Sequence, residues 1–124
     1  MGLTLEIRYP SNAAPGWEAI VSRLKSAGES PQLRMIDGLP AFPDEIPDSG
    51  WKELRVSFSG QMITLRRTAQ GDACISWGVA DPAITRAWNR LAWACAAAGD
   101  GIVHGPAGQL TAVEFEAAAN LRSS

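Results

Sequence analysis

Three consecutive runs of alternating apolar and polar residues, joined by short turns, constrain the fold of this chain more than any other feature. Between residues 51 and 79 the alternation is interrupted at Ser59-Gly60-Gln61 and again at Gln70-Gly71-Asp72. A period of two is typical of a strand with one buried face, and a glycine-containing turn between two such runs is typical of a hairpin. The segment is therefore predicted to form a three-stranded antiparallel meander. Its inward-facing positions are expected to be Leu54, Val56, Phe58, Ile63, Leu65, Ile75, Trp77 and Val79.

Two further segments carry the apolar spacing of amphipathic helices. Residues 15–27 have a proline in the first turn, where a missing N–H costs nothing, and a glycine directly after the last turn. A second helix is expected to begin after the N-cap residue Asp81 and to be stopped by Gly99-Asp100-Gly101. Its apolar stripe, at steps of four and three, consists of Ile84, Trp88, Leu91, Cys95 and Ala98.

The remaining pattern completes an α+β domain. Residues 3–9 and 32–37 are predicted as strands, residues 102–104 as a short strand, and residues 111–121 as a short C-terminal helix that begins with a capping box. Helices with one apolar stripe and a sheet with one apolar face bury each other. We therefore predict a single α+β domain over residues 1–124, a two-layer sandwich with a mostly antiparallel sheet and the helices packed on one face.

A long loop, rich in proline and in acidic residues, is predicted over residues 38–50. Its three prolines and two glycines are incompatible with a regular helix or a central strand. Leu39, Phe42 and Ile46 are expected to pin the loop onto the body of the domain. Loops of this length are often functional.

Divalent-cation binding and acid–base chemistry are two roles open to the carboxylates of this region, Asp37, Asp44, Glu45 and Asp48. Their spacing lacks the alternating Asp-x-Asp-x-Asp-Gly pattern of a calcium loop, and prolines separate them. We therefore predict no metal site. A solvated acidic loop is expected, and the functional alternative is a surface that faces a partner through Asp44, Glu45 and Asp48.

Few side chains are suited to catalysis. His104 is the single histidine and stands beside Gly105 at the end of a short strand, where a structural role is expected. Cys95 falls on the apolar stripe of the second helix and is expected in the core, whereas Cys74 falls on the polar side of its strand and is expected to be more exposed. The sequence favours a protein with no catalytic residue and no cofactor. An enzyme that combines His104 with a loop carboxylate is the least favoured hypothesis.

Composition and motifs exclude several classes of function. A net charge of −2 and a pI of about 5.3 lack the electrostatic footprint of a general nucleic-acid binder, and no apolar run reaches the roughly 18–20 residues of a membrane span. Neither a phosphate-binding P-loop nor a dinucleotide-binding glycine motif is present. The N-terminal residues show no basic stretch followed by an apolar run, so a cytoplasmic protein with reduced cysteines is expected.

Arginines form the first candidate surface. Arg8, Arg34, Arg55 and Arg66 fall on outward-facing positions of the predicted strands. Charges on an exposed sheet face are usually solvated or weakly paired. The alternative is a docking surface for an acidic partner or an anionic ligand.

A second candidate surface lies on the polar side of the helix that follows Asp81. Trp93 lies on the opposite side of this helix from Ile84, close to Arg90. Tryptophan and arginine are enriched at binding hot spots. Trp93 is therefore either covered by residues 110–121 or part of an interface.

These features together favour a small, non-catalytic domain of bacterial type that acts in protein interaction or regulation. Its partner is expected to be another protein or a second copy of the chain, and neither nucleic acid nor a membrane. The alternative is a small domain that binds an anionic ligand, with the 38–50 loop as a lid over the arginine-bearing sheet face. The architecture resembles small bacterial α+β proteins, a likeness that carries no function by itself.

Overall fold

One antiparallel sheet organises the residues that the computed structural model describes, which are 3–10, 14–76, 81–106 and 108–121. Its strands are β1 (Leu3–Arg8), β2 (Gln32–Ile36), β3 (Leu39–Pro40), β4 (Glu53–Phe58), β5 (Gln61–Thr68), β6 (Gly71–Ser76), β7 (Ile102–Gly105) and β8 (Gly108–Thr111). The strand order is β3-β2-β4-β5-β6-β1-β7-β8. The helices are α1 (Trp17–Ser26), α2 (Pro82–Gly99) and α3 (Ala112–Ala118).

The predicted meander forms the centre of this sheet. β4 pairs with β5, and β5 pairs with β6, across short turns. β1 lies between β6 and β7, so the first strand pairs with elements that are distant in sequence. α2 packs against β1, β5, β6 and β7, and α1 packs against α2. The predicted α+β class, with an antiparallel sheet and helices packed against it, is confirmed.

The helix ends follow the predicted local signals. The Asp81 side chain accepts a hydrogen bond from the backbone N–H of Ile84 at 2.9 Å, which satisfies one unpaired donor of the first turn of α2. Thr111 and Glu114 form the predicted capping box of α3, with hydrogen bonds of 2.9 and 3.2 Å. Gly28 follows the C-cap of α1 with a φ of 87°, a left-handed conformation that costs glycine little.

The apolar core fills the layer between the sheet and the helices. Burial of one large apolar side chain stabilises a fold by roughly 1.5–3 kcal/mol, so this layer supplies the main driving force for folding. Of the residues predicted for the core, the following are buried: Leu5, Ile7, Trp17, Ile20, Leu24, Leu54, Val56, Phe58, Ile63, Leu65, Ile75, Trp88, Leu91 and Cys95. Trp77 and Val79, also predicted for the core, lie outside the described residues.

The phase of β6 is the reverse of the predicted one. Cys74 pairs with Leu5 of β1 and Leu65 of β5, whose side chains face the helices, so Cys74 also faces the core and is fully buried. Ile75 lies on the opposite face of the sheet, beside Thr64. The prediction that Cys74 is more exposed is wrong because pairing with two neighbouring strands sets the register of β6, whereas its own sequence favours the other phase.

Two short edge strands are missing from the sequence prediction. β3 lies within the predicted 38–50 loop, and β8 lies where a turn and the start of the last helix are expected. Runs of two to four residues carry too little alternation to be recognised. They become strands because a neighbouring strand offers backbone N–H and C=O groups that require partners.

Candidate interaction site

Four of the predicted surface arginines are exposed, and those on regular strand positions share the sheet face that is opposite the helices. Arg8 lies 3.5 Å from Glu6 and Arg66 lies 3.5 Å from Glu53, and both ion pairs are open to solvent. Arg34, at a bulge in β2, donates a hydrogen bond to Gln32 at 3.0 Å. Exposed pairs of this kind stabilise a protein little. Arg55 also belongs to this face, where it pairs with Thr64 and Met35 on the neighbouring strands.

Arg90 is not part of an exposed surface, contrary to the sequence prediction. Only 3% of the residue is accessible, and its guanidinium donates to the backbone carbonyl of Leu121. The same guanidinium lies 3.9 Å from Glu116 and over the ring of Trp93, at 5.2 Å from the ring centroid. Trp93 is half-buried and packs against the core. Arg90 therefore fastens the C-terminal segment to α2, because it supplies a donor to a backbone carbonyl just beyond the end of α3.

Asp37 closes the base of the 38–50 loop. Its carboxylate accepts hydrogen bonds from the backbone N–H groups of Lys52, at 2.8 Å, and Glu53, at 2.9 Å. These two backbone hydrogen bonds lower the pKa of the Asp37 carboxyl. The residue before the loop thus holds the residues that follow it, as in a compact surface loop whose ends meet.

Two loop carboxylates also brace the loop from within. Glu45 accepts a hydrogen bond from the backbone N–H of Phe42, and Asp48 accepts one from the backbone N–H of Gly50, each at 3.1 Å. The backbone carbonyl of Pro43 accepts a further hydrogen bond from Leu33 of β2, at 3.1 Å. These hydrogen bonds brace the loop backbone internally and tie it to β2.

The large apolar side chains of the loop do not pin it to the domain, contrary to the sequence prediction. Leu39 is 69% exposed, Phe42 is 76% exposed and Ile46 is 66% exposed. The loop is held instead by hydrogen bonds and by Trp51, which directly follows it and is 2% exposed. With its ends fixed in this way, the loop turns its apolar side chains towards solvent.

The described loop lies beside α1, on the helix side of the sheet. One cavity between them, of about 470 Å³, has Trp17 and Lys25 of α1 on one side and residues 43–46 on the other. The arginine-bearing face is on the opposite side of the sheet. The loop is therefore not placed as a lid over those arginines, and this geometry removes the basis for the predicted anion-binding arrangement.

A buried polar network that the sequence analysis missed lies next to this loop. Arg67 forms two hydrogen bonds with the carboxylate of Asp72, at 2.8 and 2.9 Å, and a third with the backbone carbonyl of Pro15, at 2.7 Å. The hydroxyl of Tyr9 donates to the same Asp72 carboxylate at 2.7 Å. The Arg67 guanidinium also lies over the ring of Trp51, at 4.1 Å from its centroid. We call Arg67, Asp72, Tyr9 and Trp51 the Arg67 network.

Burial governs the ionisation of this network. Burial raises the pKa of Tyr9 well above its usual range, and nearby negative charge, including that of Asp72, raises it further. Burial alone would lower the pKa of Arg67, but its hydrogen bonds to Asp72 and the nearby negative charge, chiefly that of Asp72, together more than offset this effect and raise it. One signal for the network is present in the sequence: Arg67 follows Ile63 and Leu65 at steps of two, so a charged residue occupies a core-facing position.

His104 does not meet the loop carboxylates. It pairs with Glu6 across β1 and β7, so its side chain lies on the open face of the sheet, whereas the loop lies on the helix side. The two thiols offer no nucleophile either, because Cys74 and Cys95 are both fully buried, and burial raises the pKa of Cys74. In the described ranges, no three His, Cys, Asp or Glu side chains are grouped to hold a metal ion.

Comparison of the chain with protein-family models, with curated proteins and with solved structures found no match. Among the helices that the structure describes, none is both long and apolar enough to cross a membrane. Inferences about function therefore rest on the sequence of this chain and the geometry of its described residues.

Proposed function

We propose that this chain is a non-catalytic, cytoplasmic protein-interaction domain that binds its partner through the 38–50 loop. The observation that carries the proposal is the exposure of Leu39, Phe42 and Ile46 on a loop whose backbone is held firmly. Large apolar side chains that are displayed together on a surface are typical of protein–protein interaction sites.

The distribution of exposed apolar residues supports this assignment. Of the five large apolar side chains that are strongly exposed in the described part of the chain, three belong to the 38–50 loop. The other two are Met62 on β5 and Val113 on α3. The loop therefore differs from the rest of the described surface in a property that favours binding.

The bracing of the loop supports the proposal in a second way. Binding to a partner costs the conformational entropy of every segment that becomes ordered in the complex. Asp37, Glu45 and Asp48 already hold the loop backbone through hydrogen bonds in the free protein. A partner thus meets a preformed surface, and little further ordering is required.

A reducing compartment is supported by the cysteines. Cys74 and Cys95 are free thiols in the core, and thiols persist in the cytoplasm. The partner is proposed to be another protein or a second copy of the chain, and the two cases differ in the oligomeric state of the purified domain.

The test compares loop variants with a matched control in capture from native cells. Phe42→Ser and Ile46→Ser remove exposed apolar side chains from the loop, and Val113→Ser removes one that is equally exposed on α3. Loss of one aromatic or large apolar anchor is expected to weaken binding roughly tenfold or more, whereas the control retains it. Thermal unfolding of all three variants should match the wild type, because these side chains are exposed.

Light scattering of the purified domain then separates the two kinds of partner. A dimer that Phe42→Ser converts to a monomer identifies a second copy, and a monomer that captures one protein in fixed ratio identifies a different partner. Capture that is equal for the loop variants, the control and the wild type, without a dimer, contradicts the proposal.

A further inference from the structure

We infer that the groove between α1 and the 38–50 loop receives an extended basic segment of the partner protein that also carries an apolar residue. The inference rests on the proposed function and adds the chemistry of the partner to it. Its basis is the shape of the groove, its exposed apolar residue Ile46 and the carboxylates that line it.

The groove consists of two adjoining cavities along α1. The larger has a volume of about 470 Å³ and the smaller about 300 Å³, and both are lined by Trp17, Glu18 and Ile46. The larger cavity extends along the helix as far as Lys25. The distance from Trp17 to Lys25 along α1 is about 12 Å, at 1.5 Å per helical residue. About four residues of an extended chain span the same distance.

Two apolar residues, Trp17 and Ile46, line both cavities. Trp17 is only 6% exposed and Ile46 is 66% exposed in the free protein, so Ile46 supplies most of the apolar surface of this pair. Contact with an apolar side chain would remove this surface from water, which favours binding in proportion to the area buried. An apolar residue of the partner segment is therefore assigned to the site beside Ile46.

Carboxylates line both cavities beside these apolar residues. Asp44 and Glu45 line the larger cavity, Asp48 lines the smaller, and Glu18 lines both; all four residues are exposed. This concentration of negative charge attracts basic residues of a partner and repels acidic ones.

Two cations also line the groove, but they do not cancel this charge. Arg67 lines the smaller cavity and is already neutralised by its two hydrogen bonds to Asp72. Lys25 lines the far end of the larger cavity. Four carboxylates therefore face one lysine whose charge is not already matched by Asp72.

A second copy of the chain fits this groove less well than a flexible segment. The exposed arginines at Arg8, Arg55 and Arg66 lie on three different strands of a broad sheet. Neighbouring strands are about 4.8 Å apart, so such a face is flat and wide, whereas the groove accepts about four residues of a single chain. The occupant is therefore assigned as an extended basic segment of another protein.

The experiment selects ligands from a phage-displayed library of random dodecapeptides with the full chain as bait. Enriched peptides are expected to share Lys or Arg residues together with an apolar residue. Their affinity is then measured by fluorescence polarisation for the wild type, for Asp44→Lys and for Glu6→Lys. The two variants reverse the same charge, but Glu6 lies on the open face of the sheet, away from the groove. Asp44 is chosen because its carboxylate makes none of the hydrogen bonds that brace the described loop.

The expected result is a loss of affinity of roughly fivefold or more for Asp44→Lys, with no loss for Glu6→Lys, and a further loss at raised salt. Equal binding by both variants overturns the inference, as does enrichment of peptides without basic residues or enrichment of no peptide at all. If such non-basic peptides lose binding in Phe42→Ser, the proposed function stands while the groove assignment fails. If neither Phe42→Ser nor Asp44→Lys alters binding, both fail.

Discussion

Arg66 and Arg67 are neighbours on β5, yet they behave as different kinds of residue. Arg66 faces solvent, where its pair with Glu53 has a separation of 3.5 Å and both side chains remain substantially exposed. The Arg67 side chain is 16% exposed and forms an ion pair with an Asp72 side chain that is fully buried. One step along a strand moves a side chain to the other face of the sheet.

This difference shows that the number of arginines on a strand says little about how much they stabilise the fold. An exposed ion pair gains little because water competes for both charges. In the Arg67 network the guanidinium and the Asp72 carboxylate are largely withdrawn from water. Each group therefore depends on the hydrogen bonds and charges of its partners to offset the cost of lost hydration. The Arg67 guanidinium contacts the ring of Trp51, which follows the 38–50 loop, and the carbonyl of Pro15, which precedes α1. It therefore fixes the base of the loop next to the first turn of α1.

The largest effect is expected from loss of the carboxylate that this network shares. Asp72→Ala leaves Arg67 and the Tyr9 hydroxyl without their partner, and we expect the free energy of unfolding to fall by roughly 3–5 kcal/mol. Glu53→Ala removes the partner of Arg66 and should cost less than about 1 kcal/mol. Urea unfolding of the two variants measures both values. Similar losses would contradict the contrast between the two arginines.

A second buried arginine tests whether this contrast holds elsewhere in the molecule. Arg90→Ala removes the buried one of two arginine donors to the Leu121 carbonyl and the contact with Trp93, and we expect a loss of about 2–3 kcal/mol with faster hydrogen exchange in α3. Arg86→Ala is the comparison, because Arg86 is exposed although it donates to the carbonyls of Asn120 at 3.0 Å and of Leu121 at 3.5 Å. Unchanged exchange in α3 of Arg90→Ala would show that apolar contacts alone hold this helix.

Conservative replacement separates charge from geometry. Arg67→Lys keeps the charge but cannot form the two parallel hydrogen bonds to Asp72 or stack as a plane on Trp51. The free energy of unfolding is expected to fall by about 1–2 kcal/mol, whereas Arg66→Lys should change it by about a few tenths of a kcal/mol at most. Thermal unfolding in parallel measures both. If Arg67→Lys retains wild-type stability, a point charge is sufficient at this position.

The smallest effect concerns alkaline pH. Burial holds the pKa of Tyr9 above the ordinary value of 10.0, so the folded chain keeps the phenol proton when the unfolded chain loses it. This contribution to stability is complete below pH 10 and declines as the pH rises above it. Tyr9 is the single tyrosine, so the near-ultraviolet absorbance of tyrosinate should appear only as the protein unfolds. Tyrosinate formation in the folded protein would contradict the buried hydrogen bond to Asp72.

Local signals predicted much of the fold. The meander over β4, β5 and β6, the N-cap at Asp81 and the capping box at Thr111 are all present, because each depends on residues close together in sequence. The strand order and the position of β1 between β6 and β7 were beyond such signals. Pairing between strands far apart in sequence depends on the packing of the whole domain.

The candidate site was predictable only in part. The loop and its carboxylates Asp44, Glu45 and Asp48 were recognised from composition, but the functions of Asp37 and Arg67 were not. Asp37 acts on backbone groups fifteen and sixteen residues away, at Lys52 and Glu53. A contact of that kind leaves no periodic pattern in the sequence, so it becomes visible only when the backbone path is known.

By itself the sequence determined the three helices and the longer strands, and that residues 38–50 form neither a regular helix nor a central strand; the short edge strands β3 and β8 were beyond it. The tertiary structure decided which side of a strand faces the core and which apolar residues stay in water. Cys74 faces inward because β1 and β5 set its register, and Phe42 stays exposed on a loop whose ends are joined by the hydrogen bonds of Asp37. Side-chain chemistry sets the free energy of burial, but the path of the backbone decides which side chains can reach the core.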